Sequence, residues 1–236
     1  MHSTIMKQYT IEIELKSDTF IGSGEGFGAT IDSDILFDDM GIPYIPAKRI
    51  KGCLKDSASQ VCRMFKDSDI DLPKLLDKDN GIEAIDDFVN SVFGKSGSDR
   101  SAPIYFANLV IEEYDENYKW LQYLAQEYKF LVSRDTILPS FTMLRRQTAI
   151  GEETGIAKNN SLRTIRVIKK GLTFNGHISI ADDSDNINLL ALSCLNLKNI
   201  GTKRNRGFGN VECKLIDKQA VDITNNILKE LSKCTD

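Results

Sequence analysis

Along residues 9–16, apolar and polar side chains alternate. Tyr9, Ile11, Ile13 and Leu15 fall on one side, and Thr10, Glu12, Glu14 and Lys16 on the other. A period of two predicts a strand with one face buried. Strands are likewise predicted over 31–38, 103–112, 172–180 and 211–215. Elsewhere the period is helical. Ile50, Cys53, Leu54, Ala58, Val61, Cys62 and Phe65 form one stripe after Pro46, and Ile82, Ile85, Phe88, Val89 and Val92 form a second. Residues 187–197 and 220–234 read as two more helices.

Residues 113–171 interrupt this order. They hold a helix around Trp120, Leu121 and Leu124, followed by a polar, basic stretch from Arg145 to Lys170. Stripped of this and the other inserts, the order is strand, helix, strand, strand, helix, strand. That is the βαββαβ pattern of an α+β, ferredoxin-like (RRM-like) core. In such a core the helices cover one sheet face and the other is open to RNA. No repeat, low-complexity tract or Pro/Gly/Ser linker divides the chain. A single domain over 1–236 is therefore expected, carrying 113–171 as its large insertion.

With 236 residues, 41% hydrophobic and 27% charged, the composition is that of a globular protein with a real core. No apolar run is long enough to span a bilayer, and residues 1–10 lack a signal-peptide core, so a cytoplasmic address is expected. The five cysteines form no C-x-x-C pair, and only His2 and His177 could join them, which argues against structural zinc.

Net charge is −4, yet the charges are segregated. Acids dominate 66–90, whereas cations dominate 134–170, including Arg145 and Arg146, and cluster again at 48–55 and 198–206. A polyanion responds to the local field more than to the net charge.

Two segments concentrate candidate chemistry. In Pro43-Tyr44-Ile45-Pro46-Ala47-Lys48-Arg49-Ile50-Lys51-Gly52, the cations Lys48, Arg49 and Lys51 stand in the first helical turn. A helix start has unpaired N–H groups, so cations and amides there suit a shared phosphate. In Gly201-Thr202-Lys203-Arg204-Asn205-Arg206-Gly207-Phe208-Gly209, glycines let the backbone approach an anion while Lys203, Arg204 and Arg206 supply charge. Exposed lysine-rich surface and an ordinary turn are the plainer alternatives.

Gly22-Ser23-Gly24-Glu25-Gly26-Phe27-Gly28 satisfies neither nucleotide-binding pattern. It lacks the Lys-Ser/Thr of a P-loop, and Phe27 stands where the dinucleotide motif needs glycine. A flexible hairpin is expected instead. Beyond it, strand spacing puts Asp32, Asp34 and Asp38 on one face, where acids near an RNA backbone could hold a divalent cation. Histidine-based ribonuclease chemistry finds little support, because His177 lies within a strand, facing away from its apolar neighbours.

Taken in order, Ile21-Gly22-Ser23-Gly24, Ile31-Asp32-Ser33-Asp34, Gly41-Ile42-Pro43-Tyr44-Ile45-Pro46, Ile50-Lys51-Gly52, Phe93-Gly94 and Arg204-Asn205-Arg206-Gly207-Phe208-Gly209 resemble the RAMP superfamily of CRISPR-associated proteins. The resemblance is nearest to the repeating backbone subunit of type III effector complexes. The family usually has Gly-Ser-Ser-Leu-Lys-Gly where this chain has Ala47-Lys48-Arg49-Ile50-Lys51-Gly52.

The resemblance implies a subunit that binds guide RNA and meets target RNA and other effector subunits, with possible self-association along the guide and no membrane. It implies a thumb-like hairpin within 145–170. It also implies metal-dependent cleavage of target RNA through Asp32, with Mg²⁺ or another divalent cation as cofactor. The RNA contacts would be Lys48, Arg49, Lys51, Arg145, Arg146, Gly201, Lys203, Arg204, Arg206 and Gly207. A non-catalytic subunit that caps the complex or grips the guide 5′ tag is the alternative. A stand-alone guide-processing ribonuclease and a small-molecule binder on the same core remain further readings.

Overall fold

The computed structural model describes residues 6–24, 31–68, 82–95, 103–150, 155–156, 158 and 161–233. Most of the expected 22–28 hairpin, much of the acidic 66–90 stretch and part of the 145–170 stretch lie outside them. So do His2 and Cys234.

Four strand positions form the main sheet. β1 (Met6–Leu15) runs antiparallel between β6 (Thr173–Ala181) and β7 (Val211–Ile216), and β2 (Ile104–Phe106) pairs with the far edge of β6. The order across the sheet is β2-β6-β1-β7. Register follows the apolar period: Ile11 lies opposite Gly176 and Leu215, and Ile13 opposite Phe174 and Cys213. Every second side chain on β1 thereby enters the core, and Ile11, Ile13 and Leu15 are fully buried.

Helices α1 (Ala47–Asp67), α2 (Ile82–Phe93) and α5 (Ser184–Asn196) carry apolar stripes that join this core. α1 buries Ile50, Leu54, Ala58, Val61 and Cys62, as its spacing predicts, while Cys53 is only half-buried. The Ser57 hydroxyl donates to the Ser193 carbonyl at 2.8 Å, tying α1 to α5. The C-terminal α6 (Ile223–Lys233) lends Thr224, whose hydroxyl accepts the Leu215 N–H.

The extended stretch expected over 103–112 is broken. β3 (Val110–Ile111) pairs separately with β6, and at the break Leu109 and Ile45 exchange two backbone hydrogen bonds. That detour delivers Asn108 to the start of α1.

Between β3 and β6 come α3 (Tyr114–Glu127), α4 (Arg134–Phe141) and the antiparallel ribbon of β4 (Thr142–Gln147) and β5 (Arg163–Ile168). The ribbon is rooted where Thr19 and Ile168 exchange backbone hydrogen bonds of 2.9 and 2.8 Å. Ile165, Val167 and Ile168 are buried within the same apolar cluster as β1. α3 buries none of its side chains completely, and Trp120, Tyr123, Tyr128, Phe130 and Leu131 are exposed along it and just beyond.

Residues 31–38 do not make a regular strand, and Asp32, Asp34 and Asp38 do not share a face. Asp32 is exposed, Asp34 is buried, and Asp38 accepts the Met40 and Ile42 N–H groups and the Tyr114 hydroxyl at a turn. Isolated bridges to several different partners replace the single ladder that would have kept the alternation. Among the described residues, no helix is long and apolar enough to cross a membrane.

Candidate nucleic-acid interface

The open sheet face is not where the cations gather. It carries Glu12, Glu14 and Glu212, cross-linked by Lys16 (2.6 Å to Glu14, 2.9 Å to Glu212) and by Lys214. Those lysines hold the Glu212 carboxyl below its usual range. Its neighbours include Thr10, Asn175 and His177, with the exposed Tyr105 ring at the β2 edge, and its charges are paired carboxylates and lysines rather than a cluster of cations.

The start of α1 differs from the expectation as well. The Ala47 N–H donates to the Asn108 side-chain oxygen at 2.9 Å, and the Arg49 N–H to the Pro46 carbonyl. Asn108, sixty-one residues away, therefore takes the role of a cap, and few amides remain for an anion. What α1 contributes is side-chain charge. Lys48 and Arg49 border a cleft of about 600 Å³ walled by Gly22, Ser23, Gly201 and Arg204. Arg49 reaches across it to the Gly22 carbonyl at 3.4 Å.

Lys51 lies elsewhere. It stands one turn before Lys55, whose amine is committed to the Asn90 side chain and the Gly94 carbonyl. Burial, then the Lys55 charge, lowers the Lys51 pKa. It does not line the cleft.

The glycine-rich loop is the hub. Arg204 borders both the α1 cleft and a second cavity of about 820 Å³, and Arg206 joins that cavity to a third of about 520 Å³. Two of the glycines are there for packing. At Gly201 (φ +76°) an added Cβ would lie 2.4 Å from the Phe20 carbonyl oxygen, and at Gly209 (φ +78°) 2.0 Å from that of Ile200. These close approaches seat the loop on the chain leaving β1, through Thr202 N–H to Phe20 and Gly209 N–H to Asp18. Gly207, also at positive φ, faces open space.

The 820 Å³ cavity lies between this loop and the ribbon. Gln147, Thr148, Ser161 and Arg163 form one wall, and Lys203, Arg204, Asn205 and Arg206 the other. Among the described residues, no carboxylate lines it. The Lys203 amine donates to the Gln147 side chain at 2.8 Å and sits 5.4 Å from the centre of the Phe20 ring. Its pKa is lowered by burial, then by the charges of Arg206 and Arg163. Cations that repel one another, with no acid between them among the described residues, make a local field that favours an anion. Arg163 was missed among the sequence candidates because it is one of many cations in its stretch. Only the β4–β5 pairing, which sets it opposite Gln147, brings it to Lys203.

The third cavity collects Lys16, Arg145, Arg146, Lys170 and Arg206, with Phe208 half-buried at its edge. Arg145 is already engaged. Its Nε donates to Asp18 Oδ2 at 3.1 Å, and Nη2 contacts the same oxygen. Arg146 has no carboxylate partner among the described residues.

Asp32 stands apart from all three cavities. Its Oδ2 accepts the Thr164 N–H at 2.7 Å, and its own N–H donates to the Thr164 carbonyl at 2.9 Å, one residue from Arg163. Its other oxygen has no partner among the described residues. In that same set, no group of three or more His, Cys, Asp or Glu side chains gathers to hold a metal. A Mg²⁺ ion at Asp32 would take one carboxylate from this chain and its remaining oxygens from RNA and water, a ligand set this ion accepts.

No curated protein matches the chain in sequence. A family model described as the RAMP superfamily matches residues 12–212. Among solved structures, the fold is similar to a chain of the type III-B Cmr-beta cryo-EM structure in its apo state. That match has 14% identity and a TM-score of 0.58, covering 91% of this chain and 99% of the other. It is similar also to a chain of type III-B Cmr-beta bound to cognate target RNA, at 12% identity and TM-score 0.58, covering 91% and 98%. The chain belongs to the RAMP superfamily.

Proposed function

From that membership, we propose that the chain is a guide RNA-binding subunit of a type III CRISPR interference complex. The reading takes the β2-β6-β1-β7 sheet with α1 and α5 as a ferredoxin-like core. It takes the whole chain as one domain, with 113–171 inserted and the β4–β5 ribbon as the thumb-like hairpin. The partners are the guide, its target RNA and other effector subunits in the cytoplasm.

One observation carries it: Arg163, Lys203, Arg204 and Arg206 share a cavity that no carboxylate lines among the described residues. Lys48 and Arg49 extend the positive surface on one side through Arg204, and Arg146 on the other through Arg206. The sugar-phosphate chain is gripped along this trough, with Gln147, Ser161 and Asn205 offering hydrogen bonds to sugars or base edges. Arg145 supports the site by pinning the ribbon to Asp18, whereas Lys51 lies off the trough. Gly201 shapes the loop, and Gly207 leaves it open to the strand.

Asp32 is the residue that acts on target RNA in this reading. A divalent cation bound there would supply Lewis-acid stabilisation of the phosphate. Asp32, exposed and fixed by Thr164, would use its other oxygen to hold that cation. A second reading keeps RNA binding without cleavage, as a subunit that caps the complex or holds the guide 5′ tag. The observation favouring it is that Asp32 is a single carboxylate already sharing an oxygen with a backbone amide.

Fluorescence anisotropy with a labelled single-stranded RNA over a salt series tests the proposal. Affinity should fall with salt, and Lys203→Gln with Arg206→Gln should flatten the log–log slope by about 0.7 for each phosphate left without its cation. Affinity that ignores salt, or a slope unmoved by the double change, overturns it.

A further inference from the structure

We infer that Asp34 and Arg166 are positioning residues that hold Asp32 to the ribbon, so that RNA contact at Arg163 and the placement of Asp32 are linked. The inference rests on the reading of Asp32 given above.

The chain around Asp32 lies along the edge of β5 that β4 does not use. Ser33 lies parallel to Ile165, and its carbonyl accepts the Arg166 N–H at 3.1 Å. Asp32 and Thr164 make two hydrogen bonds to each other. Within four residues, β5 thus carries a cation that lines the phosphate cavity, the partner of Asp32 and the partner of Asp34.

Arg166 Nε donates to Asp34 Oδ1 at 3.0 Å, with the two side chains only 14% and 7% exposed. Two well-packed apolar side chains would hold these segments at least as firmly, because withdrawing both charges from water offsets most of their attraction. What an ion pair adds is a fixed register and orientation. The pair is also incompletely made. Asp34 Oδ2 is buried with no hydrogen-bond partner among the described residues, and the guanidinium meets only Oδ1. A buried acceptor left open in this way makes the contact sensitive to small shifts of β5.

The test uses the full chain loaded with a single-stranded guide RNA. It has two readouts: amide hydrogen exchange over residues 31–36 before and after RNA is added, and Mg²⁺-dependent cleavage of a complementary RNA. Asp34→Asn keeps the shape and removes the charge. It should bind guide within about twofold of the parent, lose the RNA-induced protection at 31–36, and cleave about tenfold or more slowly, as a misplaced catalytic group does. A double change, Asp34→Leu with Arg166→Leu, should fold as stably as the parent and show the same uncoupling.

Unchanged exchange and cleavage in a folded Asp34→Asn would overturn the inference. A parent that binds guide but never cleaves removes the catalytic reading of Asp32, and the exchange readout still decides the link. A parent without RNA affinity overturns both this inference and the function it rests on.

Discussion

Arg145 sets two nitrogens against a single oxygen of Asp18, while the next residue, Arg146, has no acidic partner among the described residues. Asp18 is only 10% exposed and also accepts the Lys170 N–H, so the arrangement pins the foot of the ribbon to the chain leaving β1. The two arginines should therefore separate by assay. Arg145→Ala leaves Asp18 without its counter-charge and is expected to cost about 1 kcal/mol, a melting shift of roughly 2–4 °C by circular dichroism. Arg146→Ala should leave melting unchanged and weaken RNA binding at low salt.

The three loop glycines should separate too. Gly201→Ala and Gly209→Ala drive a Cβ into backbone oxygens of Phe20 and Ile200. Positive φ adds strain, and each change should cost about 3 kcal/mol or fail to fold. Gly207→Asn meets open space and should cost about 1 kcal/mol or less. Thermal melts of the three variants check the order.

Asp32→Asn is the sharper test of catalysis than truncation to alanine. The amide oxygen can still accept the Thr164 N–H, so the segment stays on β5 while the carboxylate charge disappears. Divalent-dependent cleavage of a complementary RNA should fall by about a hundredfold or more with guide affinity kept, in line with loss of an electrostatic catalytic group. Cleavage equal to that of the parent leaves the capping reading in place.

Lys203 supplies a pH test. Its folded pKa lies below the unfolded value, so the protein carries the cost of its charged form at neutral pH and is relieved of it as pH rises past the folded pKa. A phosphate beside the amine reverses the shift. RNA binding should therefore take up a proton in the alkaline range, measurable by calorimetry in buffers of different ionisation enthalpy, and Lys203→Arg should abolish the uptake.

Elements whose side chains alternate against one core were legible from the sequence. The pattern of Tyr9 to Leu15, the α1 stripe and the run from Phe174 to Ile180 each occur where predicted. The β4–β5 ribbon was not, because Thr142–Gln147 stands mostly clear of the core and Leu144 is exposed, so no apolar period marks it. α4 was hidden by Pro139 inside it. At the site, Lys48, Arg49, Lys203, Arg204 and Arg206 could be named from local charge and glycine spacing. The engagement of Arg145 by Asp18, the capping of Ala47 by Asn108 and the meeting of Arg163 with Lys203 depend on contacts between distant segments, which no local window contains.

The chain has one tryptophan, and α3 holds it 60% exposed, edge-on to Tyr123 and lining none of the three cavities. Its emission should therefore resemble that of an indole in water, and a fluorescence melt should register little of the core's collapse. For the same reason, a blue shift on mixing with another subunit would report a protein surface arriving at α3, and an RNA titration alone should leave the spectrum still.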